Sequence, residues 1–165
     1  MYSLLSGLYK WMKEKEEKRM VFLGLDYAGK TTSLEQLKGT FSGRQMDVTK
    51  IPPTIGFNTA RLNIGDTVAV FWDLGGQANF RVVWQNYFEE VQGIVWVVDS
   101  NDPKRLQEAK DVLKDTLAKI RVDVPVLVLA NKQDIDSALT CEQVHKLMEI
   151  EVRKIKVLLC SILRI

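Results

Sequence analysis

Residues 19–31 read "RMVFLGLDYAGKT". The run 19–24 is short, mostly apolar and ends in glycine, which predicts a buried strand. Residues 30–40 predict a helix with Leu34 and Leu37 on one side. Between them, Gly24 to Thr31 fit G-x-x-x-x-G-K-[ST], in the strand–loop–helix context that this pattern needs. Its glycines let the backbone wrap so that N–H groups face phosphate oxygens, and the helix N-terminus adds the positive end of its dipole. Lys30 is placed to reach the β- and γ-phosphates, and the Thr31 hydroxyl to ligate Mg²⁺. Gly24, Asp26, Ala28, Gly29, Lys30, Thr31 and Thr32 are the candidate phosphate-binding residues.

Downstream, residues 41–56 carry turn formers and two prolines and predict a long loop. "NTARLNI" (58–64) alternates, as a half-exposed strand does, and "GD" turns it into "TVAVFWD" (67–73), predicting a hairpin. A helix is expected near 80–90. "GIVWVVDS" (93–100) and "VPVLVLA" (124–130) read as buried strands, with a helix opened by Asp102-Pro103 between them. A helix over 140–149 and a last strand over roughly 153–160 complete the pattern. Strand runs apolar on both faces, alternating with helices, predict an α/β domain: a mostly parallel sheet of six strands, one antiparallel edge strand, and helices on both faces.

Asp73 ends the strand 67–73, where a metal-site carboxylate acting through water is expected. Gly76, two glycines into "LGGQ", can offer its N–H to a γ-phosphate, and Gln77 can orient an attacking water. Asn131-Lys132-Gln133-Asp134 follows the strand 124–130, at the carboxyl end where such sheets bind ligands. A carboxylate there accepts from guanine N1–H and its 2-amino group, whereas adenine would leave it unpaired. Asn131 can tie this loop to the phosphate loop, and the Lys132 stem can lie over the base plane.

With 165 residues and a net charge of +2, the chain is sized for one domain and offers no electrostatic case for nucleic acid. Two cysteines make no disulfide framework, which points to a reduced, cytosolic compartment. No apolar run is long enough to span a bilayer. His145 lies away from every motif and reads as a surface residue.

"GLDYAGKTT", "PPTIGFN", "FWDLGGQ", "RVVWQNYF" and "LVLANKQD" together resemble the Arf/Arf-like branch of the Ras-superfamily small GTPases, in order and spacing over nearly the whole chain. The opening "MYSLLSGLYK" looks most like the Arf-related protein subgroup. The resemblance implies a P-loop GTPase fold and a GTP/GDP switch with Mg²⁺, hydrolysing GTP slowly and serving vesicle and protein transport at the Golgi. It implies that Thr54 closes over Mg²⁺ and the γ-phosphate, and that the 58–73 hairpin slides in register on activation. It also implies an exchange factor, a GTPase-activating protein, and effectors meeting Phe57, Trp72 and Tyr87. For all three, ordinary core packing is the alternative, most of all for Trp72, which lies within a strand. Ala78-Asn79-Phe80 departs from the family pattern. So does the end of the chain: the guanine loop that should carry Ser161 has Ile162 in place of a small residue, and the family's final helix is absent. That reads as a truncated or alternatively spliced product or a faulty gene model, and it predicts an exposed apolar patch near the last strand.

Residues 1–12 place Met1, Tyr2, Leu4, Leu5, Leu8, Tyr9, Trp11 and Met12 on one half of a helical wheel. This predicts an amphipathic helix lying on a membrane or packed on the protein itself. Tyr2 precludes the myristoyl chain that needs glycine there, so the resemblance points to an acetylated Met1 recognised with a Golgi membrane protein. Residues 1–18 are thus read as helix and charged link, and 19–165 as a monomeric GTPase domain. The competing reading is a truncated, non-switching interaction module with weak nucleotide binding.

Overall fold

The computed structural model describes residues 16–43, 51–52, 54 and 56–149 and the backbone of 155–159. Its six-stranded sheet has the order β2-β3-β1-β4-β5-β6. The strands are β1 (Glu16–Leu23), β2 (Phe57–Ile64), β3 (Thr67–Leu74), β4 (Gly93–Asp99), β5 (Val126–Asn131) and β6 (Ile155–Leu159). The β2–β3 pair is antiparallel, running from Phe57↔Leu74 to Ile64↔Thr67, and the other pairs are parallel. The helices are α1 (Lys30–Ser42), α2 (Leu106–Lys119) and α3 (Cys141–Met148), with a 3-10 helix over Ala78–Tyr87.

Period-two alternation on the central strands feeds two cores. Val21, Leu23, Trp96, Val98 and Val128 pack under α2 and α3, with Leu113, Val144 and Met148. Phe22, Phe71, Val95, Val97 and Leu129 pack on the opposite face with Leu34 of α1. Each such side chain contributes about 1.5–3 kcal/mol on burial, so these central strands anchor everything at their carboxyl ends. On β2, at the sheet edge, only Ala60 and Leu62 are buried, which explains its clean alternation in sequence.

Two elements depart from the sequence reading. The charged run before residue 19 was expected to be a solvated link, yet β1 begins at Glu16. Glu16 and Glu17 pair in register with Thr67 and Val68 of β3. Backbone pairing carries the strand outward here, and the side chains stay exposed in ion pairs, Lys18 with Glu16 and Arg61 with Glu17. The 140–149 helix is shorter than expected and starts at Cys141, capped by a reciprocal Thr140–Gln143 box. His145 is exposed, as expected. The amphipathic 1–12 segment and Ser161 lie outside the described residues, and no side chains are described for β6, where the apolar patch was expected.

Candidate functional site

The loop between β1 and α1 lies at the carboxyl end of β1, beside the point where successive connections leave the sheet in opposite directions. A side chain cannot occupy Gly24. Its φ is +139°, and a Cβ would stand 2.3 Å from the Val97 carbonyl oxygen of β4. Gly29, at φ +91°, leaves α1 without a side-chain cap. The N–H groups of the first turn therefore remain available to an anion.

Lys30 is 5% exposed, and its Nζ donates to the Leu25 carbonyl at 2.7 Å. Burial lowers its pKa from 10.5 to about 8, against the opposing pull of Asp73 and Asp26. It is protonated at neutral pH, yet it is a cation with little contact with water. Asp73, at the end of β3, is fully buried, and burial raises its pKa against the hydrogen bonds and charge that oppose the rise. Thr31 Oγ1 lies 2.6 Å from Asp73 Oδ2 and 2.6 Å from Thr54 Oγ1, and Thr54 Oγ1 is 3.2 Å from the same carboxylate oxygen. Three residues from separated segments thus bring hydroxyl and carboxylate oxygens to one point. Asp73 Oδ1 is buried with no hydrogen-bond partner. Two hydroxyls and a carboxylate beside a phosphate loop suit Mg²⁺, which takes few protein oxygens and fills its shell from water and phosphate.

Gly76 closes over the same loop. A Cβ there would stand 2.5 Å from Asp26 N, Leu25 C and Lys30 Nζ. Gly75 N donates to the Gly56 carbonyl at 2.9 Å, which continues the β2–β3 ladder toward Thr54. Gln77 borders the same open cleft as Lys30, Thr31, Thr32, Thr54 and Lys132. The cleft holds about 330 Å³, at the lower end of the usual range for ligand sites, ~300–1,000 Å³.

At the other end, buried Asn131 donates from Nδ2 to the Ala28 carbonyl at 2.8 Å, tying the base loop to the phosphate loop as the sequence predicts. Gly29 permits this approach, since its Cβ would meet Asn131 Nδ2 at 2.2 Å. Lys132 adopts φ +64° and pairs through Nζ with Asp99 Oδ2 at 2.6 Å. Asp134 is exposed on the following turn. Phe57, Trp72 and Tyr87 form one aromatic cluster, with ring centroids 5.8 Å apart for Phe57–Tyr87 and 5.1 Å for Trp72–Tyr87. Phe57 remains 53% exposed, so the cluster is a surface as well as packing for Trp72.

Sequence reasoning missed the partners of Asp26. A carboxylate in a phosphate-binding loop needs a compensating cation. Arg105 supplies it, with Nη2 2.7 Å from Asp26 Oδ1. The exposed-looking charges of "PKRLQE" gave no local sign of this contact, and Asp99 was likewise invisible as the partner of Lys132.

The family profile described as "Arf: ADP-ribosylation factor family" matches residues 2–164. The chain is 45% identical over 143 residues to ADP-ribosylation factor-related protein 1 of Rattus norvegicus, covering 85% of this chain and 71% of that protein. It is 40% identical over 149 residues to ADP-ribosylation factor-like protein 2 of Dictyostelium discoideum, covering 90% and 78%. Among solved structures, the Arl6 BBS3 small GTPase from Trypanosoma brucei, with bound nucleotide analogue GppNp, aligns with TM-score 0.75 at 25% identity, covering 89% of this chain and 88% of that one.

Proposed function

Because this chain belongs to the Arf family of Ras-superfamily small GTPases, we propose that it is a GTP-dependent switch that recruits effectors to Golgi membranes. The observation that carries the reading is the closure of two separate loops on one phosphate loop. Thr54 reaches Thr31 and Asp73, and Gly76 packs against Asp26 and Lys30. A γ-phosphate with Mg²⁺ would supply the charge that buried Lys30 and Asp73 are each arranged to meet, and it would hold both loops shut. Hydrolysis, slow without an activating protein and with Gln77 orienting the water, removes that tie and releases them. An exchange factor then resets the site, and effectors read the Phe57–Trp72–Tyr87 surface beside the moving loops. The amphipathic pattern of residues 1–12 supports a membrane contact that depends on the same switch.

Nucleotide extracted from the purified protein tests the first part. Guanine nucleotide is expected, exchangeable when Mg²⁺ is chelated. Adenine nucleotide would overturn the assignment, and an empty protein unable to take up GTP would favour the interaction-module reading. For the membrane part, deleting residues 2–12 is expected to abolish GTP-dependent association with liposomes. Unchanged recruitment would remove that segment from the mechanism.

A further inference from the structure

Three successive peptide groups around Gly76 are each tied by a different contact. Gly75 N donates to the Gly56 carbonyl at 2.9 Å. The Gly75 carbonyl accepts from Trp84 Nε1 at 3.0 Å, and the Gly76 carbonyl accepts from Arg81 Nε at 2.9 Å. In a planar trans peptide the N–H points opposite the carbonyl. Trp84 therefore fixes the direction of the Gly76 N–H, and Arg81 fixes the peptide on its other side. Both side chains come from the 3-10 helix Ala78–Tyr87.

Trp84 is buried against Trp96, with ring centroids 6.0 Å apart, and belongs to the core. Arg81 is different. Its Nη2 donates to Glu108 Oε1 of α2 at 2.8 Å. Glu108 Oε2 accepts from Arg105 Nε at 2.9 Å, and Arg105 Nη2 donates to Asp26 Oδ1 at 2.7 Å. Arg81 Nη2 also stands 4.0 Å from that same Asp26 oxygen. The contacts form a continuous path from the phosphate loop, through α2, to the carbonyl of the glycine that covers it. Only 16% of the Arg81 side chain is exposed, so these contacts are better shielded from water and salt than an ordinary surface pair.

We propose that Arg81 is a positioning residue for the triphosphate state. With Glu108 it latches the Gly76 peptide over the γ-phosphate position, and Arg105 with Asp26 ties the latch to the phosphate loop. The proposal rests on the reading of the chain as a GTP switch. A diphosphate offers nothing for the Gly76 N–H to meet, so the latch adds to the affinity for triphosphate and not for diphosphate. The chemistry asks for arginine. One planar fork spans a backbone carbonyl and a carboxylate at once, which a lysine ammonium at the end of a flexible stem does not.

The test is equilibrium binding of GDP and of a hydrolysis-resistant GTP analogue to the full chain, with Mg²⁺. Arg81→Lys, Arg81→Ala and Glu108→Gln should each weaken the analogue by roughly tenfold, the scale of a lost hydrogen bond to a charged group, and leave GDP within about twofold. Glu108→Gln keeps the side-chain shape at a half-buried helix position, so it tests the latch without threatening the fold. Arg81→Ala combined with Glu108→Gln should cost little more than either alone, because both break one unit. Equal losses for the two nucleotides, unchanged analogue affinity, or strictly additive losses would overturn the latch while leaving the switch in place. Wild-type protein that binds neither nucleotide would remove both.

Discussion

The two ends of the nucleotide cleft are built in opposite ways. At the phosphate end, Lys30, Thr31, Thr54 and Asp73 converge from three segments; two of them are buried charged groups, Lys30 bonded to the Leu25 carbonyl and Asp73 to the two threonine hydroxyls. At the base end, one buried amide, Asn131, locks the loop in place, and the carboxylate that would choose the base is an exposed side chain. Asp134 has no hydrogen bond or ion pair among the described residues. The phosphate end is therefore desolvated before the ligand arrives, and its groups are costly to keep without one. The base end costs the fold little and acts only when a ligand presents matching donors. In the proposed switch, affinity would be concentrated at one end and selectivity at the other.

The largest expected effect comes from Lys30→Met. It should lower affinity for both GDP and GTP on the order of 10³-fold, the scale of a buried charge-assisted contact that is lost (~4 kcal/mol). The nucleotide-free variant should melt no lower than the native protein, because burial disfavours the Lys30 cation, whose hydrogen bond goes to the Leu25 carbonyl and not to a carboxylate. A clear drop in melting temperature would mean that Lys30 stabilises the fold, and the contrast between the two ends would weaken.

Gly76→Ala should act on the triphosphate alone. The new Cβ collides at 2.5 Å with backbone atoms of the phosphate loop, so the second loop cannot close. Affinity for a GTP analogue should fall on the order of 10²-fold, the size of about two hydrogen bonds to charged groups, while GDP stays within about twofold. Fluorescent-nucleotide titration reads both, and parallel losses would break the assignment of Gly76 to the γ-phosphate.

Asp134→Ala probes the other end. Two hydrogen bonds from guanine to a carboxylate are lost, so guanine affinity should fall by about 30- to 100-fold (~2–3 kcal/mol). The preference for guanosine over inosine nucleotides, which lack the 2-amino donor, should shrink toward one in competition assays. A preserved preference would place base selection elsewhere.

The smallest effect is on pH. The ligand-free Lys30 pKa is about 8, and bound phosphates favour its cation. Nucleotide binding should therefore take up a proton as the pH rises past 8, and affinity should be about tenfold weaker at pH 9 than at pH 7. Over the window from 8 to 10.5, the unfolded chain binds more protons at this lysine than the ligand-free fold does. The ligand-free fold thus gains stability there as pH rises, while nucleotide affinity falls. Calorimetry in two buffers of different ionisation heat measures the uptake; none at pH 8 would show that phosphates do not reach Lys30.

Much of this site is contiguous in the chain, which is why it was legible. Gly24–Thr31 and Asn131–Asp134 each lie on one loop at a strand end, so residue type, spacing and context define their chemistry together. The alternation of residues 58–73 likewise announced the edge hairpin. What escaped were the pairings between loops. Asp26 with Arg105, Lys132 with Asp99, and Arg81 with both Gly76 and Glu108 join positions whose separation along the chain carries no signal. The start of β1 escaped for a related reason: Glu16 and Glu17 are strand residues through partnership with β3, and nothing in their own composition favours it.

The amino-acid sequence by itself determined the α/β order, the phosphate loop, the candidate base-reading loop and the membership of the family, because each is written in local patterns of apolar period, glycine and charge. Only the tertiary structure decided that Thr54 and Gly76 both close on Lys30's loop, and that an arginine from the second loop is clasped to α2. Those facts depend on parallel strands ending side by side. Parallel pairing joins segments far apart in the chain, and geometry in the sheet, not proximity in sequence, sets which side chains meet.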